Sequence, residues 1–262
     1  MRSETISVEG RRHEVLRDER GPAGAPTLVF LHEGLGSAKL WRDFPERLAA
    51  ALDRPAFVYS RLGYGGSDPT PLPRPLSYME DEARSVLPRL LDAAGIERAI
   101  LVGHSDGASI ALVHAALDGG HRVQALVLEA PHVFVEELSV ASIAQAREAY
   151  EQGGLRARLQ RWHGANVEVA FRGWNDAWLD PRFRTAFQLE GFLPEVRVPT
   201  LAVQGEDDEY GTLAQLDAIA RGVRGPFERA ILPRCGHAPH KDQPELTLAA
   251  MTRFLAAHLA RG

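Results

Sequence analysis

Apolar residues in the first half of the chain gather in four short runs: TLVFL at 27–31, AFVY at 56–59, AILVG at 99–103 and ALVLE at 125–129. Runs of four or five residues rich in β-branched side chains suit strands buried on both faces of a parallel sheet. Residues 4–9 and 13–18 alternate in polarity and predict a hairpin around Gly10. Helical patterns lie between the runs. One covers 77–93 and begins at Ser77, with Glu80 three residues later at capping-box spacing. Another, 106–117, follows directly on a strand. From about 132 to 195 no strand pattern is clear. That stretch has helical segments such as SIAQAREAYEQ and three of the four tryptophans, Trp162, Trp174 and Trp178. Alternation then resumes with TLAVQ at 200–204, a helix near 211–222, RAIL at 229–232 and a last helix over about 243–260. The pattern predicts one α/β domain, residues 1–131 and 196–262, interrupted by a helical insertion at 132–195.

Composition narrows the function classes. With 262 residues, 45% apolar and 25% charged, the chain can bury a core without disulfide or metal staples. A net charge of −5 argues against nucleic acid or an anionic membrane as the main partner. Cys235, the single cysteine, makes neither an internal disulfide nor a Cys-rich zinc site. A reducing, cytoplasmic location is expected. The opening MRSETISVEGRRHEV lacks an apolar stretch of signal-peptide length, and no run approaches a membrane span.

The chemistry gathers at predicted strand ends. Gly103-His104-Ser105-Asp106-Gly107 sits between the strand AILV and a helix, the setting of a nucleophile elbow. Ser105 must occupy a sharp, strained turn there, and glycines on either side remove side chains that would collide. A serine needs a base, and the base an orienting carboxylate. Both follow in the order that an elbow architecture uses. Gly205-Glu206-Asp207-Asp208-Glu209 follows TLAVQ, and Pro233-Arg234-Cys235-Gly236-His237 follows RAIL. His237 is the candidate base and Asp208 the candidate carboxylate, with Asp207 competing beside it. His104 and His240 compete poorly: the first lies inside the elbow, the second too near the final helix. Oxyanion donors are expected from the backbone N–H of Asp106 and from the loop His32-Glu33-Gly34-Leu35-Gly36-Ser37, where Gly34 is the candidate.

Together the elbow, the His-x-Gly loop, Gly-x-x-Asp and Gly-His resemble the α/β-hydrolase superfamily. SRLGYGGSDP at 60–69 resembles its Arg-Gly-x-Gly-x-Ser stretch. The resemblance spans nearly the whole chain. It implies a mostly parallel eight-stranded sheet flanked by helices, a helical cap inserted after strand six, and no cofactor or metal. The family's Gly-x-x-Asp carries the acid, which supports Asp208 over Asp207. A serine at the elbow resembles the esterases, thioesterases, lactonases and carbon-carbon bond hydrolases. The haloalkane dehalogenases and epoxide hydrolases, which use aspartate there, are disfavoured.

One residue departs from the pattern. Glu33 stands where the family commonly has glycine, and a carboxylate there opposes a developing oxyanion. It is read either as a structural ion pair or as a group that contacts substrate or positions water. Further candidate substrate contacts are Trp41, His132, Phe134 and Trp174, with Phe171, Trp162 and Trp178 as other aromatics of the insertion. The expected activity is cleavage of a carboxylic ester by a small-molecule hydrolase, monomeric or homodimeric. The alternatives are carbon-carbon cleavage of a dicarbonyl or ring-fission product, peroxide-dependent halogenation, and ligand reception on a hydrolase fold.

Overall fold

The structure, a computed structural model, describes residues 1–259. Its eight strands are β1 (Arg2–Val8), β2 (Arg11–Asp18), β3 (Thr27–Leu31), β4 (Ala56–Tyr59), β5 (Ala99–His104), β6 (Val123–Glu129), β7 (Thr200–Gly205) and β8 (Phe227–Leu232). They form one sheet in the order β1-β2-β4-β3-β5-β6-β7-β8. Pairing is antiparallel for β1–β2 and β2–β4, and parallel from β4 through β8. The predicted hairpin turns at Glu9 and Gly10, both at positive φ (50° and 76°), which suits the twist of a two-residue connection.

The apolar runs split by the two-residue period of a strand. Val29, Leu31, Phe57, Tyr59, Leu101, Leu126 and Leu128 enter one core layer. Leu28, Phe30, Val58, Ile100, Val102, Val127 and Leu201 enter the other. Both layers need covers, which is why the runs are apolar throughout rather than alternating. The helices are α1 (Phe44–Leu52), α2 (Tyr78–Asp81), α3 (Leu87–Ala93), α4 (Asp106–Asp118), α5 (Glu137–Glu151), α6 (Leu155–His163), α7 (Val167–Trp178), α8 (Phe183–Ala186), α9 (Ala214–Gly222), α10 (Pro239–Asp242) and α11 (Pro244–Leu259). The first layer is covered by α2, α3, α4 and α9, and the second by α1 and α11.

The helix expected over 77–93 is broken. A π turn at Glu82–Val86 separates α2 from α3. Pro88 stands just beyond it and has no N–H to give to Arg84, so the regular ladder cannot continue there. The capping box also fails to form. The Ser77 hydroxyl donates to the Asp81 carboxylate at 2.7 Å, and no side-chain cap bond is made. A charged acceptor one turn along outcompetes the backbone.

Helices α5 to α8 all lie between the adjacent strands β6 and β7. The excursion is tied at its base by an antiparallel bridge between Phe134 and Gln188 and by Leu189 N–H donating to Val133 O at 2.8 Å. It is pinned to the core by His163 and Asn166. His163 accepts from Gly65 N–H at 3.1 Å and donates to Leu35 O at 3.1 Å. Asn166 donates to Gly65 O and Ser67 O at 3.2 and 2.7 Å. Among the described residues no helix is long and apolar enough to cross a membrane.

Candidate active site

At the carboxyl end of β5 the chain turns directly into α4, and Ser105 is the single residue between them. Its φ of 53° and ψ of −118° are costly for a residue with a Cβ. Space dictates the flanking glycines. A methyl at Gly103 would stand 2.3 Å from Gly107 O, and one at Gly107 would stand 2.0 Å from Leu31 O. The result is a largely buried serine presented at the end of a parallel sheet.

Two loops converge on it. His237, after β8, places Nε2 2.9 Å from Ser105 Oγ. Its Nδ1 lies 2.8 Å from Asp208 Oδ1, on the loop after β7. The carboxylate accepts, so Nδ1 carries the proton and Nε2 is free to accept from the hydroxyl. Asp208 also accepts from the N–H groups of Tyr210 (2.9 Å) and Gly211 (3.2 Å) and from Gln204 (3.2 Å). Burial pushes its pKa up, but His237 and these donors hold it below the usual carboxylate range. Asp207 is exposed, and its N–H bonds Cys235 O. The structure therefore sets Asp208, not Asp207, against the imidazole. This ordering offers the serine proton an acceptor, the arrangement that nucleophilic catalysis by a serine requires.

A cavity of about 270 Å³ opens over Ser105. Its walls include Glu33, Gly34, His132, Trp174, Trp178 and Lys241. A larger hollow of about 470 Å³ lies at the amino ends of β3 and β4, but among the described residues no Ser, His or Cys lines it. Of the expected oxyanion donors, Asp106 is the first residue of α4, where an N–H has no intrahelical acceptor. Gly34 lies against the Trp174 indole, and a Cβ there would meet Cδ1 at 2.1 Å.

The structure corrects two of the expected substrate contacts. Trp41 does not wall the cavity. Its ring packs behind the site, 5.2 Å from Phe30 and 4.4 Å from His240, and is only 2% exposed. Phe134 is also absent from the wall: its side chain packs half-buried against the first core layer, and its backbone forms the bridge at the base of the excursion. His132 and Trp174 do line the cavity. His132 Nε2–H donates to Tyr210 O at 3.1 Å, and burial, with His237 nearby, holds its pKa below the ordinary histidine value.

Glu33 lines the cavity and is ion-paired as well. One oxygen is 3.2 Å from Lys241 Nζ and the other 3.4 Å from His104 Nδ1. His104 Nε2 lies 2.7 Å from His237 O, so both of its ring nitrogens face acceptors. Burial lowers the His104 pKa, but Glu33 raises it further, and the net shift is upward. Behind it His240 and Glu129 form a buried pair at 2.8 Å. Sequence reasoning missed Tyr210 and Lys241, both on the cavity wall; the signal was their places two residues after Asp208 and four after His237. Cys235 is no rival nucleophile, since burial and nearby carboxylates push its thiol up to about 12. Among the described residues no group of three or more His, Cys, Asp or Glu is placed to hold a metal ion.

The same architecture occurs in proteins of known kind. The chain is 31% identical over 263 residues to a 2-hydroxy-6-oxononadienedioate/2-hydroxy-6-oxononatrienedioate hydrolase of Paraburkholderia xenovorans, covering 89% of this chain and 88% of that one. It is 26% identical over 262 residues to a 2-succinyl-6-hydroxy-2,4-cyclohexadiene-1-carboxylate synthase of Serratia proteamaculans, covering 90% and 96%. The solved structure of a proline iminopeptidase from Mycobacterium smegmatis superposes with a TM-score of 0.72 over 100% of both chains at 19% identity, a likeness of fold. The model of the alpha/beta hydrolase family matches residues 28–250, and the chain belongs to that family.

Proposed function

We propose that the protein is a serine hydrolase that cleaves a carboxylic ester through an acyl-enzyme. The observation that carries this reading is the unbroken relay of 2.9 and 2.8 Å from Ser105 through His237 to Asp208. Ser105 Oγ attacks the carbonyl carbon as His237 Nε2 takes its proton. Asp208 holds the imidazole in its tautomer and stabilises the imidazolium. The N–H groups of Gly34 and Asp106 receive the oxyanion. His237 returns the proton to the departing alkoxide, then draws one from water, which attacks the acyl-enzyme. The carboxylic acid leaves and Ser105 regains its proton. In this reading α5 to α8 act as a lid, and Trp174 and Trp178 shape the acyl site.

A second reading follows from the Paraburkholderia relative, whose named substrates are dioic acids. In that reading the relay cleaves a carbon-carbon bond of a dicarbonyl or ring-fission product. The charge of the cavity favours the ester. Lys241 is the one Lys or Arg among the described residues that line it, and it is paired with Glu33. Glu209 and Asp242 line the cavity too. Among the described residues no unpaired Lys or Arg in the cavity wall awaits a substrate carboxylate, so neutral esters should outperform dienedioates in kcat/KM.

The test is exposure to a fluorophosphonate, read by intact mass. One adduct on the wild type and none on Ser105→Ala is expected. A folded wild type that takes no adduct would overturn the proposal.

A further inference from the structure

Arg61 follows β4 and is 3% exposed. Its Nη2–H donates to Glu33 O at 2.9 Å and lies 3.8 Å from Asp106 Oδ2. Nε and Nη1 have no hydrogen-bond partner among the described residues. The guanidinium carbon also lies 4.9 Å from the centre of the Tyr64 ring. A guanidinium buried with two unpartnered nitrogens is a costly way to fill space, where an apolar side chain would pack for less.

Its placement gives the cost a use. The carbonyl of Glu33 and the N–H of Gly34 belong to one peptide group. That carbonyl receives two donors. Arg61 supplies one, and His32 Nδ1 supplies the other at 2.7 Å. The His32 tautomer is set by its far side, where Nε2 accepts from Arg61 N–H at 3.1 Å. With both lone pairs engaged, the peptide plane is fixed and polarised, and its N–H becomes a stronger, better aimed donor. The same guanidinium faces the carboxylate of Asp106, whose own backbone N–H is the second expected donor. That carboxylate is held by Tyr78 OH at 2.5 Å and Trp178 Nε1 at 3.3 Å.

We propose that Arg61 is the positioning residue of the oxyanion site. It holds both donor-bearing segments from behind and sets its positive charge against the Asp106 carboxylate, while the Glu33 carboxylate is turned aside to Lys241 and His104. Arg61 touches no substrate. It acts through the Glu33–Gly34 peptide and through Asp106. This assignment rests on Ser105 being the nucleophile.

The test separates the oxyanion from general binding. A trifluoromethyl ketone adds to an active serine and places an anionic oxygen in the site, whereas the matching methyl ketone binds as a neutral carbonyl. Both are titrated against the wild type, Arg61→Met and Arg61→Gln, with melting temperature as the folding control. Arg61→Met should weaken the trifluoromethyl ketone by about 10²-fold and lower kcat similarly. KM and methyl ketone affinity should change by less than about threefold, the scatter expected of a non-contacting residue. If Arg61→Met does not fold, Arg61→Gln decides, since it keeps a donor for Glu33 O and removes only the charge. An equal loss for both ketones, or no loss in kcat, would overturn the proposal. A wild type that neither forms the ketone adduct nor takes a fluorophosphonate would overturn the nucleophile reading and this one with it. A labelled wild type with an unselective Arg61 variant would overturn this one alone.

Discussion

Gly34 and Trp174 are in contact so close that the smallest side chain cannot enter between them. Adding a methyl must displace either the indole or the peptide that carries the candidate oxyanion donor. Gly34→Ala should therefore lower kcat/KM by about 10²-fold, the usual loss for one such donor. Adding Trp174→Ala should recover part of that loss by vacating the space. Kinetics of the two single variants and the double variant measure the coupling, and strict additivity would argue against the steric account. Glu33 shows a different logic. Its charge, awkward beside an oxyanion, is spent on Lys241 and His104. The sequence showed that the residue was out of place, but its partners come from segments about 70 and 200 residues away.

Polar ties from Ser139, Ser142, His163, Asn166 and Trp178 hold the excursion of α5 to α8 to the core, and Asn166 makes two of these bonds. Asn166→Ala leaves the carbonyls of Gly65 and Ser67 without this donor, at about 1–3 kcal/mol for a buried unpaired group. The melting temperature should fall, and limited proteolysis should speed up within 137–186 while the sheet stays resistant. Most of the fold was legible at this scale. The continuous runs at 27–31 and 56–59 are strands to the residue, because strands buried on both faces leave no polar position to blur the pattern. The break at 82–86 was hidden, since helical periodicity continues across it and only Pro88 hints at the interruption. Trp41 and Phe134 were misplaced for a related reason. An aromatic near a site in sequence gives no sign of which side of the backbone it fills. For Ser105, His237 and Asp208 the clue was their place at strand ends, where a parallel sheet gathers its loops. Arg61 lay within a stretch already singled out, but nothing local tied it to the carbonyl of Glu33.

Across the molecule, buried histidines set the response to acid. His13, His32, His114, His132, His163 and His240 are held below the ordinary histidine value, each chiefly by burial. A depressed histidine pKa means that the unfolded chain binds the proton first. The stabilisation is complete above about pH 6.5 and is lost as the pH falls below it, by up to about 1.4 kcal/mol for each tenfold weakening of a ring's proton affinity. His104 runs the other way: its stabilisation is present below about pH 6.5 and is lost as the pH rises through its raised value. Six against one predicts a lower melting temperature at pH 5.5 than at pH 7.5. A higher one would mean that charge pairing, not burial, governs these rings. Glu33→Gln should remove the alkaline part of the profile and leave the acid part.

The backbone at Ser105 also has a consequence for selection. Glycine adopts a φ of 53° without the penalty that a Cβ incurs. Ser105→Gly should raise stability by about 1 kcal/mol, or about 2–4 °C for a chain near this size. Ser105→Ala keeps the Cβ and should not gain. A screen that rewards heat resistance without demanding turnover would then enrich glycine at 105 and discard the proposed nucleophile, so the strained turn persists only where activity is selected.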